Sequence, residues 1–401
     1  MIGIRTATIL RQRRLPTQRC LSDIPPVDNP EIPATPIGPQ GGKPARPRNG
    51  RRPIRVMAWP AFANRVENPY NSLLYSALRD EGIEVAEFSV QRLLLGRQAD
   101  ILHLHWSPTT RIRGATRGRV KRTSAEMLLL LAAAKRRGMK IVWTAHNIGA
   151  HDRLEYPDLE AKYWPRVASS LSALISLSLS GVEVLRSRYP SLNTVPSFVT
   201  PHGHYRTAYP RTLSRAEARK QLGISQDAKV VSFVGQVRPY KNLPALVRAF
   251  RSLSDPSAVL LIAGKVKLGD KRQKFDDLVA ADSRIKVFGT FVPPDEMQLY
   301  LEAADLVVLP FRETLNSGSA ILALSFDKPV LVPRAGSLVD LSQQIGENWV
   351  MTYEGELTPA ILKDAVDRAV TMRESVAPLD PLEWSLIARQ TRDIYRSLVE
   401  R

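Results

Sequence analysis

An apolar run, a glycine and two basic residues follow one another in Val230-Val-Ser-Phe-Val-Gly-Gln-Val-Arg-Pro-Tyr-Lys-Asn242. The run Val230 to Val234 predicts a buried strand, and the apolar spacing of Leu243 to Leu253 predicts a helix after the loop. Gly235 lets the backbone turn sharply where the strand ends. Arg238 and Lys241 extend from the same loop, where two fixed cations can hold a diphosphate and stabilise its charge as a leaving group. A solvated loop of no special function is the alternative interpretation.

Strands and helices alternate through the rest of the second half of the chain, which predicts a parallel, doubly wound sheet. The further predicted strands there are Val259 to Ala263, Ile285 to Phe288, Leu306 to Leu309 and Val330 to Val332. The further predicted helices are Glu296 to Ala304, Ser317 to Phe326 and Pro359 to Met372.

The same alternation occupies the first half of the chain. Its predicted strands are Ile54 to Trp59, Glu84 to Phe88, Ile101 to Trp106, Lys140 to Thr144 and Ala173 to Ser176, and its helices include Asn71 to Asp80, Ser124 to Arg137 and Gly181 to Tyr189. Two consecutive units of this kind predict two Rossmann-like domains that face each other across a ligand-binding cleft. We expect the first domain at residues 53–210, the second at 211–380, and a C-terminal helix at 381–401 that crosses back to the first.

A second anion-binding element is predicted at Arg312-Glu-Thr-Leu-Asn-Ser-Gly-Ser-Ala320, between a strand and a helix. Asn316 or Ser317 is a suitable N-cap, and Gly318 leaves backbone amides open to an approaching anion. The start of a helix carries partial positive charge, so a diphosphate could lie between it and the Arg238/Lys241 pair. An ordinary capped helix is the alternative. The region contains no D-x-D pair of acidic residues, so we expect protein groups rather than a metal to neutralise the diphosphate.

Composition limits the remaining possibilities. Residues 1–52 are rich in Pro and Arg with almost no apolar periodicity, which predicts a disordered extension rather than a signal peptide. The one cysteine, Cys20, excludes an intrachain disulfide and favours the reducing cytoplasm. The longest apolar run, Met127 to Ala134, is far shorter than the ~20 residues of a membrane-spanning helix.

Basic residues are concentrated between Ile101 and Ala150. The chain has a net charge of +18, and this segment holds ten Lys and Arg residues against Glu126 alone. Such a block favours a polyanionic surface, either phospholipid headgroups or nucleic acid, although a merely solvated basic face would look the same.

Several motifs together carry a resemblance to a known family. They are Gly235-x-x-Arg-Pro-x-Lys241, Ala303-Ala-Asp-Leu-Val-Val-Leu-Pro310, Lys328-Pro-Val-Leu331, Asn68-Pro-Tyr70, Ile101-Leu-His-Leu-His-Trp106, His146-Asn147, His151-Asp152, His202-Gly-His-Tyr-Arg206, Asn316-Ser-Gly318 and Tyr353-Glu-Gly-Glu356. The second domain resembles glycosyltransferases of the GT-B fold. More narrowly, residues 54 to 355 resemble the bacterial exopolysaccharide β-mannosyltransferases of the xanthan-assembly type.

The resemblance implies an inverting transferase that moves mannose from GDP-mannose onto a polyprenyl-diphosphate-linked oligosaccharide, without a further cofactor. The large retaining GT-B family has two glutamates eight positions apart, and here Glu313 is followed eight positions on by Ile321. We therefore favour inversion. The assigned donor-binding residues are His146, Gly235, Arg238, Lys241, Gly264, Asn316, Ser317, Gly318 and Ser319, and the acceptor-binding residues are Asn68, Tyr70, His151 and Glu155.

Inversion by a single displacement requires a general base that takes the proton of the acceptor hydroxyl. Asp152 follows the predicted strand Lys140 to Thr144, so it projects from the carboxyl edge of the sheet, and we assign it as the base. Glu155 and His151 are alternatives, and Asp152 could instead only cap a helix. Arg238 and Lys241 complete the catalytic set as electrostatic stabilisers.

The remaining histidines have weaker signals. His146 could bind a sugar hydroxyl or a phosphate, or be a packed core histidine. His103 and His105 alternate on a strand and share one face, but no cysteine or nearby carboxylate completes a metal site, so we interpret them as structural or cleft-lining. His202 and His204 lie at the predicted domain junction, where they could contact the donor sugar. Asn68 and Tyr70 could equally form an Asn-Pro turn that opens a helix.

Other functions explain less of the sequence. A transferase with a UDP-sugar donor or a retaining mechanism stays open, because no residue visibly selects guanine. A nucleic-acid-binding protein would explain the charge but not the second-domain motifs, and the basic block lacks interleaved aromatic residues. An inactive sugar-nucleotide sensor would bind the donor and never transfer the sugar. We expect a cytoplasmic enzyme on the inner face of the membrane, with a donor, a lipid-linked acceptor and anionic lipid as partners and no nucleic acid.

Overall fold

A computed structural model describes residues 52–66, 68–96, 98–105, 116–147, 156–312 and 315–400, which all belong to one compact unit. Within these residues the chain forms two parallel sheets of six strands each, flanked by helices. This confirms the predicted α/β fold of two doubly wound sheets. The predicted N-terminal extension lies outside the described residues except for Arg52.

The first sheet has the strand order β2-β1-β3-β4-β5-β6. Its strands are β1 (Arg55–Trp59), β2 (Glu84–Glu87), β3 (Ile101–His105), β4 (Lys140–Ala145), β5 (Ala173–Ser176) and β6 (Ser197–Val199). Its helices are α1 (Tyr70–Asp80), α2 (Val90–Leu95), α3 (Arg117–Arg136), α4 (Pro157–Ala168) and α5 (Leu179–Arg188).

The second sheet has the strand order β12-β11-β10-β7-β8-β9. Its strands are β7 (Lys229–Val234), β8 (Ala258–Ala263), β9 (Ile285–Phe288), β10 (Leu306–Val308), β11 (Val330–Pro333) and β12 (Val350–Tyr353). The helices of this half are α6 (Arg215–Gln221), α7 (Leu243–Arg251), α8 (Arg272–Ala280), α9 (Met297–Ala303), α10 (Gly318–Ser325), α11 (Ser337–Ile345) and α12 (Pro359–Val370). The order reverses between β7 and β10, and ligands of such sheets bind beyond the carboxyl ends of the strands at this point.

Burial on both faces accounts for the apolar strands of the second sheet. Val230, Phe233 and Leu260 are fully buried, because helices cover both sides of the sheet. In the first sheet, Trp143 and Trp164 pack with ring centroids 5.2 Å apart beneath α3 and α4. Both cores bring their strand ends toward the same cleft.

The C-terminal helix α13 (Trp384–Val399) packs on the first domain. Its buried residues Trp384, Ile387 and Tyr395 share one apolar cluster with Leu74 of α1 and Val56 of β1. The chain therefore visits the first domain, then the second, and then the first again. No helix among the described residues is both long enough and apolar enough to cross a bilayer.

Candidate active site

A cleft of about 420 Å³ opens at the carboxyl ends of β7 and β10 and faces the first domain. Its lining residues are Asn68, Pro69, Asn147, Tyr205, Tyr209, Val234, Gly235, Gln236, Arg238, Tyr240, Lys241, Met297, Phe311, Asn316, Ser317, Gly318, Ser319 and Leu322. The first domain supplies Asn68, Pro69 and Asn147. Most of the predicted donor-binding residues therefore line one cavity, together with one predicted acceptor-binding residue.

Two glycines allow the loop after β7 to pack closely. Gly235 has φ +126°, and a Cβ there would lie 3.2 Å from Lys241 Nζ and 3.6 Å from Ser319 Oγ. Gly264, at φ +139°, does not line the cavity; a Cβ there would lie only 2.2 Å from the carbonyl oxygen of Gly235. Gly264 thus leaves space for the Gly235 loop, and Gly235 leaves space between Lys241 and Ser319.

Lys241 is a buried cation inside this wall. Its side chain is sandwiched by two rings, with Nζ 5.6 Å from the centroid of Phe233 and 5.4 Å from that of Phe311. Burial, and then the neighbouring charge of Arg238, lower the pKa of Lys241 from 10.5 to about 8. Within the described residues, no carboxylate lines the cavity that could offset this charge. An anionic ligand would supply the missing compensation.

Arg238 belongs to the same loop, lines the same cleft and is more exposed than Lys241. Its Nε and Nη2 donate hydrogen bonds to Gln236 Oε1 at 3.1 and 2.9 Å. This contact holds the guanidinium beside the cavity and leaves it other donors. The cleft therefore carries one buried and one half-buried positive charge on a single loop.

Helix α10 adds a third positive feature, because it begins at Gly318 in the cleft wall. Ser317 is the N-cap, and its Oγ accepts a hydrogen bond from Ala320 N at 3.1 Å. A Cβ on Gly318 would lie 3.5 Å from Tyr205 Oη, so this position is closely packed. The first amides of a helix have no intrahelical partner and carry partial positive charge. The helix start and the two cations thus line the same cleft, and a diphosphate between them stays a prediction.

Asn316 joins the two walls of the cleft. Its Nδ2 donates hydrogen bonds to the carbonyl oxygens of Ala145 and His146 at 3.3 and 3.1 Å. Both carbonyls lie at the carboxyl end of β4 in the first domain. Asn316 thus connects the donor-side loop to the strand that leads to the predicted base.

Asn68 fits both of its interpretations. Its Oδ1 accepts a hydrogen bond from Tyr70 N at 3.1 Å, as expected of an Asn-Pro turn that opens α1, and the residue also lines the cleft. Tyr70 is buried and does not line the cleft. Its ring lies edge-on to His146 at 4.7 Å and to His202 at 4.8 Å. Contact of Tyr70 with an acceptor stays a prediction that this position does not favour.

Three histidines form a buried chain behind the first-domain wall. His105 Nδ1 lies 3.0 Å from His146 Nε2, and Tyr75 Oη lies 2.5 Å from His105 Nε2 and 3.0 Å from His103 Nδ1. Burial lowers the pKa of His103 to about 3 and lowers those of His105 and His146 well below 6.5. All three are therefore neutral at physiological pH. His146 packs in this chain and does not line the cleft, which matches the interpretation as a core histidine.

The two histidines at the domain junction, His202 and His204, have different surroundings. His202 lies near the start of α10, with Nε2 3.8 Å from the position of a Cβ on Gly318, and burial lowers its pKa to about 4. His204 instead pairs with Glu383, with Nε2 and Oε1 3.1 Å apart. Only His202 is therefore placed near the predicted diphosphate position.

The predicted base lies outside the described residues. Asp152, His151 and Glu155 all fall in the segment 148–155, and Glu313 is likewise undescribed. Asn147, the last described residue before that segment, lines the cleft.

Sequence reasoning did not assign Asn147, Gln236, Tyr205, Tyr240 or Phe311 to the site, although all five line the cleft. All of them except Phe311 lie inside quoted motifs, so their position beside assigned residues was the signal in the sequence. No group of three or more metal-ligating side chains occurs within the described residues, and the metal-free scheme stays a prediction.

Comparison with known proteins identifies the class. Residues 214–355 match the family "Glycosyl transferases group 1". Sucrose-phosphate synthase from Thermosynechococcus elongatus shares the fold with a TM-score of 0.61 at 17% identity, over 87% of this chain and all of that one. Anabaena Alr3699/HepE, solved with UDP, shares it with a TM-score of 0.58 at 14% identity, over 87% of this chain and all of that one. The chain therefore has the GT-B fold and contains a domain of the glycosyl transferases group 1 family.

A curated relative narrows the resemblance. The chain is 29% identical over 333 residues to the GDP-mannose:glycolipid 4-β-D-mannosyltransferase of Xanthomonas campestris pv. campestris. The alignment covers 81% of this chain and 87% of that protein. The predicted resemblance to the xanthan-type mannosyltransferases is therefore confirmed.

Proposed function

We propose that this glycosyltransferase moves mannose from GDP-mannose onto a polyprenyl-diphosphate-linked oligosaccharide, with inversion at the anomeric carbon, in exopolysaccharide or cell-envelope glycan assembly. The observation that carries the proposal is the cleft itself. It sets Arg238, Lys241 and the start of α10 opposite Asn68 and Asn147, in a chain similar over most of its length to a GDP-mannose:glycolipid mannosyltransferase.

The second-domain wall supports the departure of a diphosphate. Lys241 and the helix start lie on either side of the space that Gly235 leaves open. When the bond from the sugar to the diphosphate breaks, negative charge grows on the leaving oxygen. Fixed positive groups stabilise this charge without reorganising, since their positions are already set by packing.

A general base must come from the first-domain side. None of the described residues that line the cleft is a carboxylate or a histidine. Asp152 follows the cleft-lining Asn147 by five residues. Five residues of fully extended chain span at most ~17 Å, so Asp152 lies within that distance of Asn147. We therefore keep Asp152 as the proposed base, with Glu155 and His151 as the alternatives.

Thermal unfolding in the presence of different nucleotide sugars tests the donor. The purified protein is heated with GDP-mannose, GDP-glucose, UDP-glucose or UDP-N-acetylglucosamine. A ligand at 100 times its dissociation constant adds about 2.7 kcal/mol to the free energy of unfolding. We expect GDP-mannose to stabilise the protein most. Stabilisation by UDP-sugars alone would overturn the donor assignment, and stabilisation without turnover on any lipid-linked acceptor would favour a sensor.

Association with an anionic membrane fits the same acceptor. Helix α3 exposes Lys121, Arg122 and Arg136, and Glu126 is its one acidic residue. Arg117 contributes less to this positive surface than its place in the sequence indicates, because both of its Nη atoms are hydrogen-bonded to Asp158 of α4. The proposal places the enzyme peripherally on the inner face of the cell membrane, where its acceptor and anionic headgroups occur together.

A further inference from the structure

Exposed leucines stand next to the basic face of the first domain. Leu95, the last residue of α2, has 82% of its surface exposed, and the adjacent Leu94 has 49%. Leu129, in the middle of α3, is 69% exposed. Large apolar side chains exposed in one neighbourhood are a feature of surfaces that contact a partner or a membrane.

The two helices are joined at their C-terminal ends. Arg137, at the end of α3, donates hydrogen bonds from Nη1 to the carbonyl oxygen of Leu94 at 2.6 Å and from Nη2 to that of Gly96 at 2.8 Å. Gln98 Nε2 donates in turn to the carbonyl oxygen of Arg137 at 2.5 Å. The end of α2 is therefore fastened to the end of α3, and Leu94 and Leu95 are held in place.

Charge surrounds these leucines. Arg122, Leu129 and Arg136 follow one another at intervals of seven residues, so they lie on one face of α3. Arg122 also pairs with Glu126, with Nε and Oε1 3.5 Å apart. Arg92 on α2 and Lys121 on α3 are further exposed basic side chains of the same two helices. Leucines framed by Arg and Lys are typical of a helix that lies in the plane of an anionic bilayer, with its apolar side chains below the headgroups.

We propose that Leu94, Leu95 and Leu129 insert into an anionic lipid surface while Arg92, Arg122 and Arg136 contact its phosphates. This deepens the membrane association of the proposed function and depends on it. Helix α3 is 20 residues long, about 30 Å, and lies parallel to the bilayer. The N-terminal end of α3 is on the cleft side of the first domain, because α3 follows the carboxyl end of β3. In this orientation the cleft opens in the plane of the membrane, toward the lipid-linked acceptor.

Vesicle binding at high salt distinguishes insertion of the leucines from electrostatic attraction of the basic residues. Screening at about 1 M salt shortens the reach of charges to roughly 3 Å, whereas buried apolar contacts persist. The full-length protein is sedimented with phosphatidylglycerol/phosphatidylcholine vesicles at low salt and at high salt. We expect a salt-resistant fraction for the wild type, lowered at least about tenfold in the double variant Leu94→Ser/Leu95→Ser and less in Leu129→Ser, because burial of one leucine is worth tenfold or more.

A matched control is available in the second domain. Val376 is 69% exposed, like Leu129, and lies far along the chain from α2 and α3. Val376→Ser is expected to bind vesicles like the wild type. Complete loss of wild-type binding at high salt, or unchanged binding of the double variant, overturns the insertion.

A label gives a second measurement. Leu95→Cys in a Cys20→Ser background carries an environment-sensitive fluorophore, whose emission should shift to the blue on addition of the vesicles, while a label at Val376→Cys should not respond. No shift at position 95 overturns the proposal. A wild-type dimer that the double variant breaks would also overturn it, because the leucines would then belong to an interface between two copies of the chain.

Transfer from GDP-mannose to a short-chain, water-soluble acceptor keeps the two proposals apart. The leucine variants should perform this reaction at the wild-type rate. A wild type that binds vesicles but fails in this reaction would contradict the proposed function and leave the insertion intact.

Discussion

The two walls of the cleft differ in charge. The second-domain wall contains Arg238, Lys241 and the start of α10, whereas the described part of the first-domain wall presents the uncharged amides Asn68 and Asn147. His105 and His146 of the first domain are buried behind that wall and neutral. In the proposed function, the second domain stabilises the leaving diphosphate, and the first domain binds hydroxyl groups and supplies the base.

The largest expected effect is the loss of that base. Asp152→Asn keeps the size of the side chain and removes its basicity, so transfer should fall by about 10² to 10⁴ while GDP-mannose binds as in the wild type. Calorimetric binding and single-turnover transfer measure the two properties separately. Glu183→Gln, a change at an exposed carboxylate of α5 that does not line the cleft, is the control and should retain the wild-type activity. A fully active Asp152→Asn would move the base to Glu155, and an α-linked product would remove the need for a base.

Removal of the buried cation tests the opposite wall. Lys241→Met keeps the apolar stem and deletes the charge, so turnover should fall by about 10² to 10³, and Arg238→Ala should fall within the same range. Lys267→Met, a change at an exposed lysine that does not line the cleft, is the control. Normal turnover in both cleft variants would contradict the diphosphate position.

The same lysine should lower the stability of the ligand-free protein. Its pKa is about 8 in the folded protein against 10.5 ordinarily, a difference that corresponds to roughly 3 kcal/mol. Below pH 8 the folded state carries a poorly solvated cation, so Lys241→Met should be the more stable protein by up to this amount. As the pH rises from 8 to 10.5 the folded lysine is neutral, and the difference should close. Denaturant unfolding of both proteins at pH 7 and pH 10 measures this difference in stability. A difference that does not change with pH would refute the prediction.

A smaller effect is expected where the walls meet. Asn316→Ala removes the two hydrogen bonds to the carbonyls of Ala145 and His146. At about 0.5–1.5 kcal/mol per bond, turnover should fall roughly tenfold, because the end of β4 loses its contact with the donor side. Steady-state kinetics in comparison with the exposed control Asn348→Ala measure the effect. Activity equal to that of the control would mean that the contact does not couple the walls.

The smallest expected effect is none. Since the charged wall is proposed to neutralise the diphosphate, transfer should continue unchanged in excess EDTA. Activity that EDTA abolishes and Mg²⁺ restores would assign part of this task to a metal ion.

Local patterns predicted most strands and the donor-side loops. Ala173–Ser176 and Ile285–Phe288 have the predicted bounds. The first is buried throughout, as expected of a parallel strand inside a sheet. The three-residue β6 was not predicted, since it is too short for a pattern. Helix α6 was not predicted, although the Ser214–Glu217 capping box was visible in the sequence.

Contacts between distant residues could not be predicted from the sequence. The His105–His146 contact joins residues 41 positions apart, and the Asn316 bonds join residues 170 and 171 positions apart. Strand alternation placed His103 and His105 on one face but could not say whether that face was open or covered. Helix α3 begins at Arg117, seven residues before the predicted start, because Thr116 caps it and its first turns are charged rather than apolar.

The return of α13 to the first domain has a consequence for exchanging parts between enzymes. Tyr395 donates or accepts a hydrogen bond with His103 Nδ1 at 2.6 Å, and Trp384 Nε1 donates to the carbonyl oxygen of His204 at 2.7 Å. The second domain is thus an insertion in the chain of the first domain rather than a C-terminal addition. A chimaera that exchanges sugar specificity must therefore be spliced at two junctions, near residue 210 and again near residue 380. A single crossover would combine the first domain with the α13 helix of another enzyme, and the contact of Tyr395 with His103 would be lost or changed.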